Sequence, residues 1–373
     1  MFERETLPII GEGENQYENS ITPPIFQTST FGGGGDFSYT RVSNPTRAML
    51  ERELAKLEGG KEAFAFSSGL GAINSVFSLL SKGDRVVVSD DLYGGTYRMI
   101  TKIYSKYGID FDFVDLSDMA SFEKAMTKTT KMVFAETPTN PMMKIAPLAD
   151  IAKVCKSHDA IFVVDNTFLT PYFQNPLELG ADIVVHSATK FLSGHHDTVA
   201  GAVVCKSDEL CEKINLISMT LGNALSPFDS WLTLRGMRTL SLRMSKHEQN
   251  AIAAAKFLRA SPMVENVFYP GLPDHVGHDI CKNQARGFGG VVSFSVKTQE
   301  SAKRLLKGGN IIKFAESLGG FRSLITYPLT QTHASIPKEL REKIGITDRL
   351  FRLSVGLESD RDIINDLSEM LKG

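Results

Sequence analysis

Short apolar runs alternate with helical patterns through the first two thirds of the chain, and this alternation is the feature that most limits its fold. Six runs have the composition of buried strands, at residues 85–88, 111–114, 132–135, 161–164, 183–185 and 202–204. Stretches with helical periodicity, such as residues 95–106 and 148–157, lie between them. Strands that alternate with helices predict an α/β fold, with a mostly parallel sheet and helices on both faces.

The two ends of the chain differ from this central part. The first 48 residues show little periodicity and contain Pro23-Pro24, four consecutive glycines and Asn44-Pro45, which is typical of an extended arm. A long helical stretch at residues 228–260 leads to a second, shorter series of strands and helices. We therefore predict an N-terminal arm at 1–48, a large domain at 49–245 and a smaller C-terminal α/β domain at 246–373.

Charge and composition favour a small-molecule ligand over a nucleic acid or a membrane. The formal net charge is only -2, and basic and acidic residues are mixed along the chain. There is neither a secretory leader pattern nor an apolar run long enough for a membrane span, so we expect a cytoplasmic protein. The four cysteines lie far apart and the histidine pairs lack further ligands, so we expect neither disulfides nor a metal site.

A lysine and an aspartate follow two of the predicted strands. Lys190 ends the run Asp182-Ile-Val-Val-His-Ser-Ala-Thr-Lys190, and Asp165 ends the run Ile161-Phe-Val-Val-Asp165. Ligands collect at the carboxyl ends of parallel strands, so we expect both side chains in one pocket. Pyridoxal 5'-phosphate needs such a pair: a lysine for covalent attachment and an acid that keeps the ring nitrogen protonated. Taken singly, Lys190 is also typical of a strand end and Asp165 of a helix cap.

An anion site is predicted beside this pair. Ser68, Gly69 and Leu70 lie where a helix begins, and the free N–H groups of a first helical turn bind phosphates well. Ser187 and Thr189 place two hydroxyl groups next to the lysine. A helix cap without a ligand is the alternative for the first group.

Two further side chains are candidates for the pocket. Tyr93 follows a strand and precedes a helix, so its ring could stack on a planar cofactor while its hydroxyl handles a proton. The alternative is a tyrosine that packs on the sheet edge. Arg352 is a guanidinium in an apolar strand, and binding a substrate carboxylate would explain it. An arginine on the solvated face of the strand is the alternative.

The chain resembles the Cys/Met-metabolism pyridoxal-phosphate enzymes of fold type I over nearly all of its length. That family includes cystathionine β- and γ-lyases, cystathionine γ-synthases and methionine γ-lyases. The resemblance rests on motifs in family order: Tyr39-Thr-Arg41 with Ser43-Asn-Pro-Thr-Arg47, Ser68-Gly-Leu70, Asp91-Leu-Tyr-Gly-Gly-Thr96, Glu136-Thr-Pro-Thr-Asn-Pro141, Val164-Asp-Asn-Thr167, His186-Ser-Ala-Thr-Lys190, Gly194-His195, Glu316-Ser-Leu-Gly-Gly320, Thr332-His-Ala-Ser335 and Arg352-Leu-Ser-Val-Gly356.

The resemblance implies a role for each candidate residue. Lys190 would hold the cofactor covalently and shuttle protons, Tyr93 would stack on the ring as the second catalytic residue, and Asp165 would pair with the ring nitrogen. The phosphate ligands would be Ser68, Gly69, Leu70, Ser187 and Thr189. The substrate ligands would be Asn140, Glu316, Ser317, Thr332 and Arg352. Tyr39 and Arg41 of the arm would reach the phosphate of a neighbouring subunit, which implies a homotetramer built as a dimer of dimers.

The reaction within the family is less tightly specified. Glu316 matches a glutamate that meets the distal amino group of cystathionine, and Gly95 stands where methionine γ-lyases carry a cysteine. Many relatives that act on or make cystathionine through γ chemistry have an acid where this chain has Ser38. The family's usual glutamate is replaced here by Arg322, so we expect a more basic distal pocket. We predict a PLP-dependent C–S lyase of transsulfuration, within cysteine and methionine metabolism, that acts on L-cystathionine by β- or γ-elimination, with desulfhydration of cysteine or homocysteine as a side activity. The alternatives are γ-replacement on an O-acylhomoserine, as in a cystathionine γ-synthase, and a non-catalytic protein that binds the cofactor.

Overall fold

The computed structural model describes residues 3–10 and 20–372. The strands are β1 (Glu62–Phe66), β2 (Arg85–Ser89), β3 (Asp110–Val114), β4 (Thr130–Glu136), β5 (Ile161–Asp165), β6 (Ile183–His186), β7 (Gly201–Cys205), β8 (Val264–Phe268), β9 (Val291–Val296), β10 (Lys313–Phe314), β11 (Leu324–Thr326) and β12 (Leu350–Ser354). The helices are α1 (Leu7–Ile10), α2 (Pro45–Glu58), α3 (Gly69–Phe77), α4 (Gly94–Lys102), α5 (Met119–Ala125), α6 (Leu148–Ser157), α7 (Thr170–Phe173), α8 (Asp208–Leu221), α9 (Pro227–Met237), α10 (Leu240–Ala260), α11 (His278–Gln284), α12 (Gln299–Leu305), α13 (Lys338–Lys343) and α14 (Asp360–Lys372).

The first sheet has seven strands in the order β1-β7-β6-β5-β4-β2-β3. The strands from β6 to β3 in this order are parallel, which confirms the prediction of a mostly parallel sheet. The remaining strands, β7 and β1, are antiparallel to their neighbours. The sequence pattern did not predict β1, and it did not predict the reversed direction of β7, which follows β6 without an intervening helix.

Both faces of this sheet are buried, as the near-continuous apolar runs predict. Val87, Val133 and Val164 belong to the core on one face, which includes apolar residues of α2 and α6. Val88 and Val163 belong to the core on the other face, with α3 and α4. Alternate residues of each strand therefore fill opposite cores, and helices cover both faces.

The second sheet has five strands in the order β10-β11-β12-β9-β8. It shares a third apolar core with α10 and α14, which includes Leu258, Phe294 and Leu367. The predicted helix at 228–260 is in fact two helices, α9 and α10, and beside the break the Gly236 carbonyl accepts a hydrogen bond of 2.8 Å from Arg243 Nη2. The predicted domain boundary at residue 246 lies within α10 and stays a prediction.

The predicted arm is only partly described, because residues 11–19 lie outside the described ranges. From residue 20 to residue 44 the chain forms turns and one isolated bridge, between Thr30 and Tyr39. Most of its side chains are exposed or half-buried. None of the helices in the described ranges is both long and apolar enough to cross a membrane.

Candidate active site

The carboxyl ends of β4, β5 and β6 meet at a cavity of about 320 Å³. Thirteen of the fifteen residues that we predicted for the site line this cavity: Ser68, Gly69, Leu70, Tyr93, Asn140, Asp165, Ser187, Thr189, Lys190, Glu316, Ser317, Thr332 and Arg352. Tyr39 and Arg41 do not line it. The large sheet and the second sheet both contribute, so residues far apart in the sequence share one pocket.

Lys190 lies in the turn after β6, four residues beyond the end of the strand. Its Nζ donates a hydrogen bond of 3.0 Å to Ser317 Oγ. Burial and, to a smaller extent, the charge of Arg352 lower the pKa of Lys190 to about 8, with Glu316 acting in the opposite direction. A lysine with such a pKa presents far more neutral amine near neutral pH than an exposed lysine does, as attack on a carbonyl requires.

Asp165 is the last residue of β5 and holds its carboxylate at the cavity. Its Oδ1 accepts hydrogen bonds from the backbone N–H of Thr167, at 3.0 Å, and from the Thr167 hydroxyl, at 2.6 Å. Its Oδ2 has no hydrogen-bond partner among the described residues. Burial raises the pKa of Asp165 while the two bonds from Thr167 lower it. A protonated ring nitrogen would give this carboxylate a partner of opposite charge.

The predicted phosphate site is the beginning of α3. Ser68 caps this helix, since its Oγ accepts from the Gly71 N–H at 3.0 Å, and the N–H groups of Gly69 and Leu70 have no partner within the helix. A Cβ on Gly69 would lie 2.8 Å from Ser187 Cβ, so only glycine lets the helix begin this close to Ser187. These groups suit a phosphate.

The hydroxyl of Thr189 is less free than we expected. It donates to the Ala200 carbonyl at 3.0 Å and accepts from the Ala200 N–H at 2.9 Å. It must therefore give up the bond to the carbonyl in order to donate to a phosphate.

Arg352 is buried rather than solvated, so the alternative of a wet strand face is wrong. Only 1% of its surface is exposed. Its Nη1 donates to Asn140 Oδ1 at 2.9 Å, and its Nη2 donates to the Ser317 carbonyl at 2.9 Å and to Thr326 Oγ1 at 3.2 Å. Its Nε is buried without a hydrogen-bond partner among the described residues. No carboxylate among the described residues forms a salt bridge with this buried guanidinium, and a substrate carboxylate would supply that partner.

His333 orients Asn140, the residue whose side chain Arg352 binds. Its Nε2 lies 2.8 Å from the Asn140 carbonyl oxygen, and its Nδ1 lies 2.8 Å from Thr332 Oγ1. Burial lowers the pKa of His333 to about 4, so the imidazole is neutral and donates through Nε2. His333 occurs in a motif that we used for the family resemblance, but its part in orienting Asn140 depends on packing that sequence reasoning did not identify.

Glu136 is a further carboxylate in the cavity, and sequence reasoning gave it no role. It is the last residue of β4, directly beside Asp165 in the sheet register, and its Oε2 accepts from the Tyr93 N–H at 3.0 Å. Burial and the charge of Asp165 raise the pKa of Glu136 well above its ordinary value, which favours its neutral form. Glu136 thereby holds the start of α4, where the half-exposed ring of Tyr93 borders the cavity.

The two arm residues lie on the surface of their own chain. The Arg41 guanidinium carbon is 5.6 Å from the centre of the Tyr39 ring, and the Arg41 side chain donates to the Met219 carbonyl. The Tyr39 ring is 46% exposed. Their contribution to a neighbouring subunit stays a prediction.

The residues in the cavity fit pyridoxal phosphate. Lys190 supplies a partly neutral amine, Asp165 a carboxylate with a free oxygen, and α3 two free N–H groups beside a serine. Among residues 3–10 and 20–372, no group of three or more His, Cys, Asp or Glu side chains is placed to hold a metal ion.

Comparison with known proteins gives the same family. The model of the "Cys/Met metabolism PLP-dependent enzyme" family matches residues 5–372. The chain is 47% identical over 367 residues to a cystathionine β-lyase of Lactococcus lactis subsp. cremoris (strain MG1363), covering 97% of each chain. It is 46% identical over 378 residues to a cystathionine γ-lyase of Bacillus subtilis (strain 168), covering all of both chains.

Solved structures agree with these relatives. A cystathionine γ-lyase from Lactobacillus plantarum, complexed with L-serine, superposes with a TM-score of 0.97 at 43% identity, covering 99% of this chain and 98% of the other. A cystathionine γ-synthase from Xanthomonas oryzae pv. oryzae, in complex with cystathionine, superposes with a TM-score of 0.97 at 40% identity, covering 100% and 98%.

Proposed function

Because the chain belongs to the Cys/Met metabolism PLP-dependent enzyme family, we propose that it is a carbon–sulfur lyase that eliminates from L-cystathionine. One observation of the site carries the proposal. Four features face one cavity among the described residues: a lysine with a lowered pKa, a strand-end carboxylate, a free helix N-terminus and a buried arginine that forms no salt bridge. These groups match the aldehyde, ring nitrogen and phosphate of pyridoxal phosphate and the carboxylate of an amino acid.

Pyridoxal phosphate, when bound, supplies an electron sink for cleavage beyond the α-carbon. Lys190 would hold the cofactor and then, as a neutral amine, take the α-proton of the substrate and deliver a proton to another atom of the substrate. Asp165 would keep the ring nitrogen protonated. Arg352 and Asn140 would bind the α-carboxylate of the substrate, which orients the α-proton toward Lys190.

Glu316 is our candidate for the recognition of cystathionine. Its carboxylate lines the cavity, and its charge raises the pKa of Lys190, so it lies within electrostatic reach of the amine. Cystathionine carries a second amino group at its distal end, and a carboxylate in the cavity would favour it over an uncharged side chain. Glu316→Gln should therefore raise the KM for cystathionine more than the KM for cysteine.

A cystathionine γ-synthase is the second candidate, because synthase structures superpose as closely as lyase structures do. Product analysis by mass spectrometry separates the reactions. Cystathionine gives homocysteine, pyruvate and ammonia by β-elimination, and cysteine, 2-oxobutyrate and ammonia by γ-elimination. Formation of cystathionine from cysteine and an O-acylhomoserine, without either set of lyase products, would replace our proposal with the synthase. The Lys190→Ala variant is the control for uncatalysed breakdown.

We also propose a homotetramer in which Tyr39 and Arg41 complete the site of a neighbouring subunit. Both residues lie at the surface and away from the cavity of their own chain. An arginine suits phosphate binding, so Arg41 would serve the phosphate site of a neighbouring subunit instead. Mixing Arg41→Ala subunits with Lys190→Ala subunits tests this. Hybrid dimers would contain one intact site, so activity should reappear in the mixture. Two inactive variants that stay inactive after subunit exchange would contradict the shared site.

We propose a cytoplasmic location on the basis of the cysteines. All four are unpaired and buried, as is usual in a reducing compartment. Fractionation of cells that express the protein tests the location.

A further inference from the structure

A group of buried polar side chains lies behind the cavity, around the end of α2. Glu58 is the last residue of this helix, and its Oε1 accepts from Asn166 Nδ2 at 2.9 Å. The same oxygen lies 2.6 Å from His186 Nε2, and neither side chain of this pair has any exposed surface. Buried carboxylates are stable only when they are hydrogen-bonded or paired, so these contacts fix the three side chains relative to one another.

The partners of Glu58 are sequence neighbours of cavity residues. Asn166 directly follows Asp165, and His186 directly precedes Ser187. The sheet register aligns Asp165 with Val185, and successive side chains of a strand point to opposite faces, so His186 lies on the face away from Asp165. Neither His186 nor Glu58 lines the cavity. Glu58 therefore connects the ends of β5 and β6 on the face of the sheet opposite Asp165.

A second connection joins the same two strand ends on the cavity side. The hydroxyl oxygen of Thr167 lies 2.6 Å from Asp165 Oδ1, to which it donates, and 2.8 Å from the Ser187 nitrogen, from which it accepts. The carboxylate of Asp165 and the segment that leads to Lys190 are thus held between two sets of hydrogen bonds. Thr167 orients Asp165 directly, whereas Glu58 and His186 set the position of the backbone beneath it.

We propose that Glu58 and His186 are a positioning pair for the cofactor site, which holds the ends of β5 and β6 so that Asp165 and Lys190 keep a fixed separation. The electrostatics agree, because burial raises the pKa of Asp165 and the imidazole of His186 acts against that rise. The inference rests on cofactor binding at Asp165 and Lys190, as proposed above, and is independent of which C–S bond breaks.

A purely structural role is the competing explanation, since Asn175 Nδ2 also donates to the Leu57 carbonyl, at 2.8 Å, and lies 3.5 Å from Glu58 Oε2. The two explanations differ in what changes when Glu58 loses its charge. A structural role predicts lower stability with an unaltered cofactor site. A positioning role predicts an altered site even where the protein stays folded.

The test compares Glu58→Gln with Glu53→Gln, the same change on the same helix. Glu53 is 3% exposed and bonds Arg238 at 2.8 Å, away from the cavity. We expect Glu58→Gln to weaken pyridoxal phosphate binding, to move the visible absorption of the loaded protein and to lower kcat about 100-fold, since small displacements of reacting groups cost that much. The substrate KM should change little, because Arg352 is not affected. Glu53→Gln should change only the melting temperature.

Two results would overturn the proposal. One is a Glu58→Gln protein that melts earlier but keeps the wild-type cofactor dissociation constant, absorption and kcat. The other, in case Glu58→Gln does not fold, is a His186→Gln protein that keeps the wild-type cofactor dissociation constant, absorption and kcat. Wild-type protein that binds no pyridoxal phosphate would instead contradict the proposed function, so the two failures are distinguishable.

Discussion

The lowered pKa of Lys190 gives a quantitative prediction about how the apoprotein captures its cofactor. Only the neutral amine attacks an aldehyde, and the pKa of this lysine is about 8 instead of 10.5. At pH 7 the neutral fraction is therefore about 9%, compared with about 0.03% for an ordinary lysine, a difference of roughly 300-fold. Capture of pyridoxal phosphate should speed up about tenfold per pH unit below pH 8 and level off above it.

Stopped-flow absorbance of apoprotein mixed with pyridoxal phosphate measures this rate between pH 6 and pH 10. A lysine-containing peptide under the same conditions corrects for the titration of the aldehyde and phosphate groups. Two variants test the cause of the shift. Glu316→Gln removes an anion that raises the pKa of Lys190, so its plateau should begin at lower pH. Arg352→Gln removes a cation that lowers this pKa, so its plateau should begin at higher pH.

A rate that keeps rising to pH 10 in parallel with the peptide would refute the reasoning, because Lys190 would then titrate as an exposed lysine. Opposite shifts in the two variants would refute the assignment of the neighbouring charges even if the plateau at pH 8 were found. A rate without pH dependence in all three proteins would mean that a step other than amine attack limits capture.

Four further outcomes follow from the geometry of the site. Lys190→Ala should show no visible absorption band after dialysis against cofactor-free buffer and no lyase activity, as spectroscopy and product assays will show. Gly69→Ala places a Cβ 2.8 Å from Ser187 Cβ and should weaken the binding of pyridoxal phosphate, measured by fluorescence titration. Arg352→Lys keeps the charge but loses the planar guanidinium that binds Asn140, so kcat/KM should fall about 30-fold or more. This corresponds to a loss of about 2 kcal/mol in transition-state stabilisation, with an unchanged cofactor dissociation constant. Because its raised pKa favours the neutral form of Glu136, Glu136→Gln should keep most of kcat in steady-state assays, and a strongly defective variant would contradict this.

The sequence could predict the strand-end residues because a general rule connects them. Asp165 and Lys190 both follow apolar runs, and in a parallel sheet the ends of such runs meet at one edge. The same reasoning was available for Glu136, which ends β4, but without the strand order its position beside Asp165 was not apparent. For Arg352 the sequence left two interpretations open, and the burial of its side chain in the central strand of the second sheet decides between them.

The features that the sequence did not predict depend on packing between separate segments, which no local sequence pattern indicates. Glu58 ends an amphipathic helix, where a glutamate is ordinarily exposed, and only the docking of α2 against the sheet brings it to His186. At the break between α9 and α10, Arg243 of the second helix binds the Gly236 carbonyl of the first, a contact that helical periodicity does not predict. The reversed strand β7 is short and apolar like its neighbours, so periodicity does not reveal its direction.

Comparison of two buried arginines supports a functional explanation of the cavity over a structural one. Arg243 is 5% exposed, and its Nε, Nη1 and Nη2 all donate to oxygen atoms of the chain. Arg352 is also buried, yet its Nε has no partner among the described residues. At the cavity, Asp165 Oδ2 and the first N–H groups of α3 likewise have no hydrogen-bond partner among those residues. A fold selected for stability alone would pair such groups or replace them with apolar ones. These groups have opposite charges and face one cavity, so a ligand that carries an anion, a cationic ring nitrogen and a carboxylate satisfies all of them together.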